Sequence, residues 1–392
     1  MKAIFAKRMD KLSPSMTIAI STLAAELKAS GKDVLSFSAG EPDFDTPQKI
    51  KDSAIEALNS GKTKYTAVAG TVDVKTAIKN KLKKDNNLDY DISDIMVNVG
   101  AKHSLFNIFQ ALIDEGDEVI IPAPYWVTYP ELAKYSGGVP IAIDTTDESG
   151  FKITPTQLKE AITPKTKILI LTSPSNPTGS VYSKSELEAL AEILKDTNIW
   201  VISDEMYEKL IYDNLEFTAT ASISDDMFDR TITVNGLSKS VAMTGWRFGY
   251  LATPNKELIK AMTKLQSQST SNINSITQHA SIVALDGEVD EDIEMMRVQF
   301  EKRRDLACEL FNAIDGLSVV KPQGAFYLFV NIKDVDTNSL TFCEQLLKDT
   351  GVAVVPGVGF GLDGYFRFSF ATDEATIKEG ISRIENFVKS YK

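Results

Sequence analysis

Between Ile95 and Ala252 the chain alternates short β-branched apolar runs with longer stretches of helical periodicity, and this restricts the fold more than any other feature. The short runs fall at 95–99, 119–121, 139–143, 168–172, 199–203, 231–235 and 248–252. Several are apolar almost throughout, as strands covered on both faces must be. Helix signals lie between them. Thr154-Pro155 sets a proline at a helix start, and Ser183-Lys184-Ser185-Glu186 has the spacing of a capping box ahead of 187–194. Strands separated by helices in this way predict an α/β domain with a mostly parallel sheet.

From about Asp286 the pattern changes. A long charged amphipathic helix is expected to about Ile314, then a strand at 326–332, a helix near 340–347, strands at 352–355 and 365–370, and a terminal helix. This reads as a smaller α+β domain. At 392 residues the chain is too long for one ordinary core. We expect a large domain over 45–285 and a small one built from 1–44 and 286–392, joined by continuous helix. A helix near 18–29 could pack on either.

A formal net charge of −12 argues against a nucleic-acid partner, which would want a basic face. No run approaches the roughly 20 apolar residues of a membrane span. Lys7 and Arg8 interrupt the apolar Ala3–Ala6 stretch before a secretory core can form. Cys308 and Cys343 lack a Cys-x-x-Cys partner and read as reduced and buried; the expected compartment is the cytoplasm. His103 and His279 stand far apart without neighbouring ligands, so no metal site is expected.

Ligands of open α/β sheets bind beyond the carboxyl ends of the strands. The residues there are Gly100-Ala101-Lys102, Pro124-Tyr125-Trp126, Ser173 to Gly179, Asp204-Glu205-Met206-Tyr207 and Gly236-Leu237-Ser238-Lys239. Polar, aromatic and glycine residues converge from five strands, which suits a small-molecule site. Asp204-Glu205 after an apolar strand also has the form of a Walker B element. Its partner loop is missing, because Glu56 stands where the first glycine before Gly61-Lys62-Thr63 belongs. Gly359 to Gly364 satisfies G-x-G-x-x-G but leads into a strand rather than a helix, and reads as a tight loop. Arg367 alternates with Phe366, Phe368 and Phe370, so pattern alone makes it a solvated strand arginine.

Eight stretches, in order over nearly the whole chain, carry a resemblance. They are Gly40-Glu41-Pro42-Asp43-Phe44, Lys64-Tyr65, Pro124-Tyr125-Trp126, Ser173 to Gly179, Ser203 to Tyr207, Ser238-Lys239, Thr244 to Tyr250 and Arg367-Phe368-Ser369. The chain resembles the aspartate aminotransferase family, the class I aminotransferases among the fold-type-I pyridoxal-phosphate enzymes, and within it the bacterial branch. The resemblance implies pyridoxal 5′-phosphate as cofactor and a homodimer with shared sites. It also implies ping-pong transfer of the amino group of aspartate or glutamate to a 2-oxo acid such as 2-oxoglutarate. Aromatic, prephenate or alanine amino transfer and β-lyase chemistry are the alternatives, since one fold serves several reactions.

The resemblance also implies roles. Lys239 matches the lysine that holds the cofactor and moves the proton, with Ser238 beside it. Asp204 matches the carboxylate at the pyridine nitrogen, and Tyr207 and Asn176 the groups on the ring oxygen. Arg247 matches the phosphate-binding arginine, a suitable bidentate partner. Gly100, Ala101 and Lys102 open a helix whose free amides can take the same phosphate. Trp126 matches the ring that stacks on the cofactor. Arg367 matches the grip on the substrate α-carboxylate, beside the Gly40 backbone, with Trp126 and Asn176 on the same side. Tyr65 matches a tyrosine that reaches the neighbouring subunit's phosphate. No arginine lies between Arg247 and Arg297 to bind a side-chain carboxylate, as one in another branch does. In the bacterial branch Lys102, Ser15 and Thr17 match the residues that do so.

Overall fold

The computed structural model describes residues 5–14 and 16–391, with Thr17 described in its backbone only. Seven strands form the central sheet: β1 (Ile95–Val99), β2 (Glu118–Ala123), β3 (Val139–Asp144), β4 (Thr166–Thr172), β5 (Trp200–Asp204), β6 (Thr231–Gly236) and β7 (Phe248–Ala252). Their spatial order is β1-β7-β6-β5-β4-β2-β3. All neighbouring pairs from β6 to β3 are parallel, whereas β7 runs antiparallel to both β1 and β6. The carboxyl ends of β1, β2, β4, β5 and β6 therefore share one rim, where an open α/β sheet holds its ligand.

The apolar character of the strands has a direct cause. In β4, Ile168 and Ile170 enter one core while Leu169 and Leu171 enter another on the opposite face. Successive side chains of a strand point to opposite faces, so a doubly covered strand has no position left for solvent. The two helix starts form as capping boxes, Thr154 with Gln157 and Ser183 with Glu186.

Toward the carboxyl end, Val355–Pro356, Tyr365–Ser369, Tyr327–Asn331 and Ser318–Val319 form a four-stranded antiparallel sheet in that order. Two expectations need correction here. The helix expected to join the two regions is broken: Ser275–Leu285 ends and Asp290–Asn312 begins after a turn. Gly287, at φ 84°, takes the left-handed conformation of a helix stop, and the Glu288 amide folds back to Val283 O at 3.1 Å. The strand expected at 352–355 is two strands. Val352–Ala353 pairs in parallel with Leu35–Ser36, and Val355–Pro356 pairs with Arg367 and Phe366. The chain passes from one sheet to the other at Val354. Among the described residues no helix is long and apolar enough to cross a membrane, and no cluster of His, Cys, Asp and Glu is arranged for a metal. Cys308 and Cys343 are free and buried.

The glycines at 359–364 turn out of a 3-10 segment into the strand Tyr365–Ser369. A Cβ on Gly361 would lie 2.5 Å from the Tyr125 ring, and the Tyr125 amide donates to Phe360 O at 2.9 Å. Gly361 serves close packing against the Pro-Tyr-Trp segment, while Gly359 faces Met16 and Gly364 faces Lys333.

Candidate active site

A cavity of about 520 Å³ opens at the shared rim, closed on one side by the carboxyl-terminal sheet. Gly40, Ala101, Lys102, Trp126, Asn176, Asp204, Tyr207, Ser238, Lys239, Arg247 and Arg367 all line it. These residues come from segments more than 300 residues apart, brought together because each sits at or just past a strand end, just before the antiparallel β7 in the case of Arg247, or on the strand that caps the cavity.

Lys239 stands three residues beyond the end of β6. Its Nζ donates to Gly40 O. Burial brings its pKa down from 10.5 to about 8; Glu41 opposes that, and Arg367 and Arg247 add to it. A lysine amine at this value is partly neutral near physiological pH, as a nucleophile needs to be. Asp204 closes β5 and is buried. Burial pushes its carboxyl above the usual range, and hydrogen bonds from the Tyr129 hydroxyl to Oδ2 (2.7 Å) and the Met206 amide to Oδ1 (3.3 Å) work against that. The Tyr207 hydroxyl shares a 2.8 Å hydrogen bond with that of Tyr327.

Arg367 is not the solvated arginine its strand pattern predicts: it is 2% exposed. Its guanidinium lies over the rings of Tyr327 and Phe360, 4.4 and 5.0 Å from their centroids. It donates to Asn176 Oδ1 at 2.9 Å and to Ser38 O at 2.8 Å, while its Nε has no partner. Pattern fails because the antiparallel sheet folds over the cavity and turns both faces of this strand inward. A buried cation with only neutral partners, facing a cavity, is a site for an anion.

A second anion cradle forms where β7 meets the helix Ala101–Leu112. The first amides of a helix have no acceptor within it, and Gly100, at φ 78°, turns the chain into this one. A Cβ on Gly249 of β7 would fall 2.2 Å from Ala101 N, so only glycine lets the strand approach. Arg247, at φ 57°, donates to Thr244 O at 2.8 Å, and its guanidinium packs so near Gly100 that a Cβ there would lie 2.5 Å from Nη2. Lys102 reaches over the Trp126 ring, 4.9 Å from its centroid. Partial burial, and then Arg247, hold its amine below the usual range.

Three positions stand apart. Tyr65 is 91% exposed and does not line the cavity of its own chain. Ser15 lies outside the described residues, as does the Thr17 side chain. Sequence reasoning missed Tyr129, Tyr327, Thr172, Glu41 and Thr244, which also line the cavity. Tyr129 had a signal: it follows Trp126 by three residues at a helix start, one turn along the same face. Tyr327 had none, since its place beside Arg367 depends on strand register, Tyr327 opposite Ser369.

Residues 32–384 match the family profile of class I and II aminotransferases, and the chain belongs to that family of pyridoxal-phosphate enzymes. It is 49% identical to the aspartate aminotransferase of Bacillus sp. strain YM-2, over 99% of this chain and 100% of that one. The aspartate/prephenate aminotransferase of Cereibacter sphaeroides is 45% identical over 98% of each. Among solved structures, the aspartate aminotransferase from Rhizobium meliloti superposes with a TM-score of 0.96 at 43% identity, over 100% of both chains. The reaction is amino transfer between amino acids and 2-oxo acids.

Proposed function

We propose that this aminotransferase takes the amino group of aspartate or glutamate and passes it to a 2-oxo acid such as 2-oxoglutarate, with pyridoxal phosphate held at Lys239. One observation carries the substrate assignment. The cavity that holds Lys239 also holds Arg367 and Lys102, and neither has a carboxylate partner among the described residues. Two unpaired cations suit a substrate with two carboxylates.

The residues fit the cofactor. Asp204 is a buried acid on the cavity wall, the cradle at Ala101 and Gly249 offers free amides beside Arg247, and the Lys239 amine is depressed toward neutrality. When bound, pyridoxal phosphate supplies an aldehyde that accepts the amino group and a ring that takes up the electron pair left at the substrate α-carbon. Lys239 would hold the cofactor through its amine and, once substrate is bound, would move the proton at the substrate α-carbon. Asp204 holds a proton at the ring nitrogen. Asn176 spends its oxygen on Arg367, which leaves its amide donor, with the Tyr207 hydroxyl, for the ring oxygen. Trp126 covers the ring, and Ser238, Arg247 and the amides of Ala101 and Lys102 hold the phosphate, with Gly100, whose own amide donates to Asn98 O, turning the chain toward it. Arg367 binds the α-carboxylate beside Gly40. Lys102 binds the distal one, with Ser15 and Thr17. The two half-reactions use this one site in turn.

The same reading takes the enzyme to be a cytoplasmic homodimer, in which the exposed Tyr65 ring is covered by, and serves, the neighbouring site. It also takes 45–285 as the large domain and 1–44 with 286–392 as the small one. A hybrid dimer of Lys239→Ala and Tyr65→Phe chains, with one unimpaired site of two, should outperform both mutant homodimers. Prephenate is a second acceptor worth including, because a relative 45% identical carries it in its name and it also bears two carboxylates. The test is a substrate panel following conversion of the aldehyde cofactor to its amine form, with borohydride fixation locating the modified peptide. Preference for alanine or phenylalanine over the dicarboxylic acids would overturn the substrate assignment. Label on a peptide without Lys239 would overturn the site.

A further inference from the structure

A second buried charge cluster lies behind the strand ends, outside the cavity. Glu208 follows Tyr207 on the turn after β5 and is 9% exposed. Lys81 and Asn86, from the helix Val72–Asn86, are buried against it. Lys81 Nζ donates to Glu208 Oε1, and to Asn86 Oδ1 at 2.7 Å. Asn86 Nδ2 donates to Glu208 Oε2 at 2.7 Å. One further donor comes from elsewhere. Asn235, near the end of β6, gives its Nδ2 hydrogen to Glu208 Oε1 at 2.8 Å, while its Oδ1 accepts from the Gly236 amide at 2.7 Å. A single carboxylate thus ties the turn bearing Asp204 and Tyr207 to the backbone that opens into Leu237-Ser238-Lys239.

Stability alone is a poor reason for such a cluster. Apolar groups of similar volume often stabilise a fold as well as a buried ion pair does. What charge-assisted hydrogen bonds add is short, directional geometry. The Lys239 loop has need of it at its root. Gly236 cannot carry a side chain to anchor itself, because a Cβ there would lie 2.6 Å from Phe248 O. The Asn235 amide supplies that anchor. The other charged groups around Glu208 are Asp85, 4.0 Å from Lys81 and 2.8 Å from Lys209, and the buried Glu205.

We propose that Glu208 and Asn235 are positioning residues for amino transfer, their carboxylate–amide link setting the Lys239 loop against the Tyr207 turn. This rests on the reading of Lys239 as the cofactor lysine. Neither side chain lines the cavity, so both act through Lys239 and Tyr207.

The test uses the pyridoxal-phosphate-loaded enzyme and two variants that keep the opposite charges of residue 208 and Lys81. Asn235→Ala cuts the link, and Glu208→Asp draws the carboxylate back by one methylene. Each should lower kcat roughly tenfold or more while KM for the amino acid moves much less, as expected of a small misplacement of reacting groups. Each should also shift the pH midpoint of the absorbance band of the lysine-bound cofactor by about half a unit, because the environment of that nitrogen changes. Circular dichroism and thermal melts establish that the variants fold. Variants that melt lower yet keep the wild-type titration and kcat would make the cluster purely structural and overturn the proposal, as would failure of both to fold. A wild-type chain that takes up no cofactor would instead overturn the functional reading on which the proposal stands.

Discussion

The Tyr129 hydroxyl donates to Asp204 Oδ2 at 2.7 Å from a side chain only 1% exposed, and shares its oxygen with Thr172 at 2.9 Å. Of the groups that hold the Asp204 carboxyl down against burial, Tyr129 is the largest. Tyr129→Phe should let that carboxyl climb further. Such a bond is worth about 1.5–3 kcal/mol, so pyridoxal phosphate affinity and kcat/KM should each fall roughly ten- to a hundredfold. Fluorescence titration with the cofactor and initial rates measure both. Wild-type values for both would exclude a role for Tyr129.

The Lys239 amine has a folded pKa of about 8 against 10.5. Because the folded value is the lower, the unfolded chain binds more protons between the two. Stability therefore rises with pH across that window, and the amine is destabilising below it. Cofactor-free Lys239→Met should melt higher than cofactor-free wild type near pH 7, by at most about 3 kcal/mol, and the gap should close above about pH 10. Melting curves of the two proteins from pH 6 to 11 test this. A constant gap would show that the amine is not held in a depressed state.

Arg367 carries the same signature, since burial lowers its pKa and no carboxylate among the described residues partners it. Arg367→Leu should leave the cofactor-free protein as stable as wild type or more so, because a lone buried cation is costly. The same change should cost every amino acid substrate about 2–5 kcal/mol in kcat/KM, whatever its side chain. A loss confined to aspartate and glutamate would move Arg367 to the distal carboxylate.

Gly249→Ala sets a Cβ against the backbone at Ala101 N, where no side chain can swing away. The helix start must shift, with an overpacking cost of about 1–3 kcal/mol. Cofactor affinity should fall tenfold or more, and inorganic phosphate should lose its ability to compete. Gly245→Ala is the control, since nothing lies within 4 Å of its Cβ position. Equal behaviour of the two variants would separate the Gly249 approach from phosphate binding.

Lys102→Ala should spare alanine and phenylalanine and cost the dicarboxylic substrates about tenfold to a hundredfold in kcat/KM, as the loss of one charged partner at a half-open site does. Uniform losses would assign Lys102 to the phosphate alone.

Much of this was legible in residue order. The strand runs and the rim residues could be read because a doubly covered strand leaves a continuous apolar mark, and the residue after it is where the chain turns toward a ligand. Arg367 defeated pattern because its burial is imposed by a sheet from elsewhere in the chain. Tyr327 was invisible because register is not written locally. The turn at Gly287 could have been seen: Asp286-Gly287 is a helix-stop signal inside what otherwise reads as one periodic stretch. The split at Val354 could not, because it depends on Leu35–Ser36 pairing across more than 300 residues of chain.

That pairing has a consequence for synthesis. Leu35 and Phe37 donate their amides to Gly351 O and Ala353 O, Phe37 O accepts from Ser369 N, and Ser38 O accepts from Arg367. The lysine, the acid and the phosphate cradle all lie upstream of residue 250, in the part of the chain that leaves the ribosome first. Arg367, proposed to grip the α-carboxylate, waits for almost the last strand to arrive and for the amino-terminal segment to dock beside it. A nascent chain therefore completes the Asp204 and Lys239 side of the cavity well before the Arg367 side.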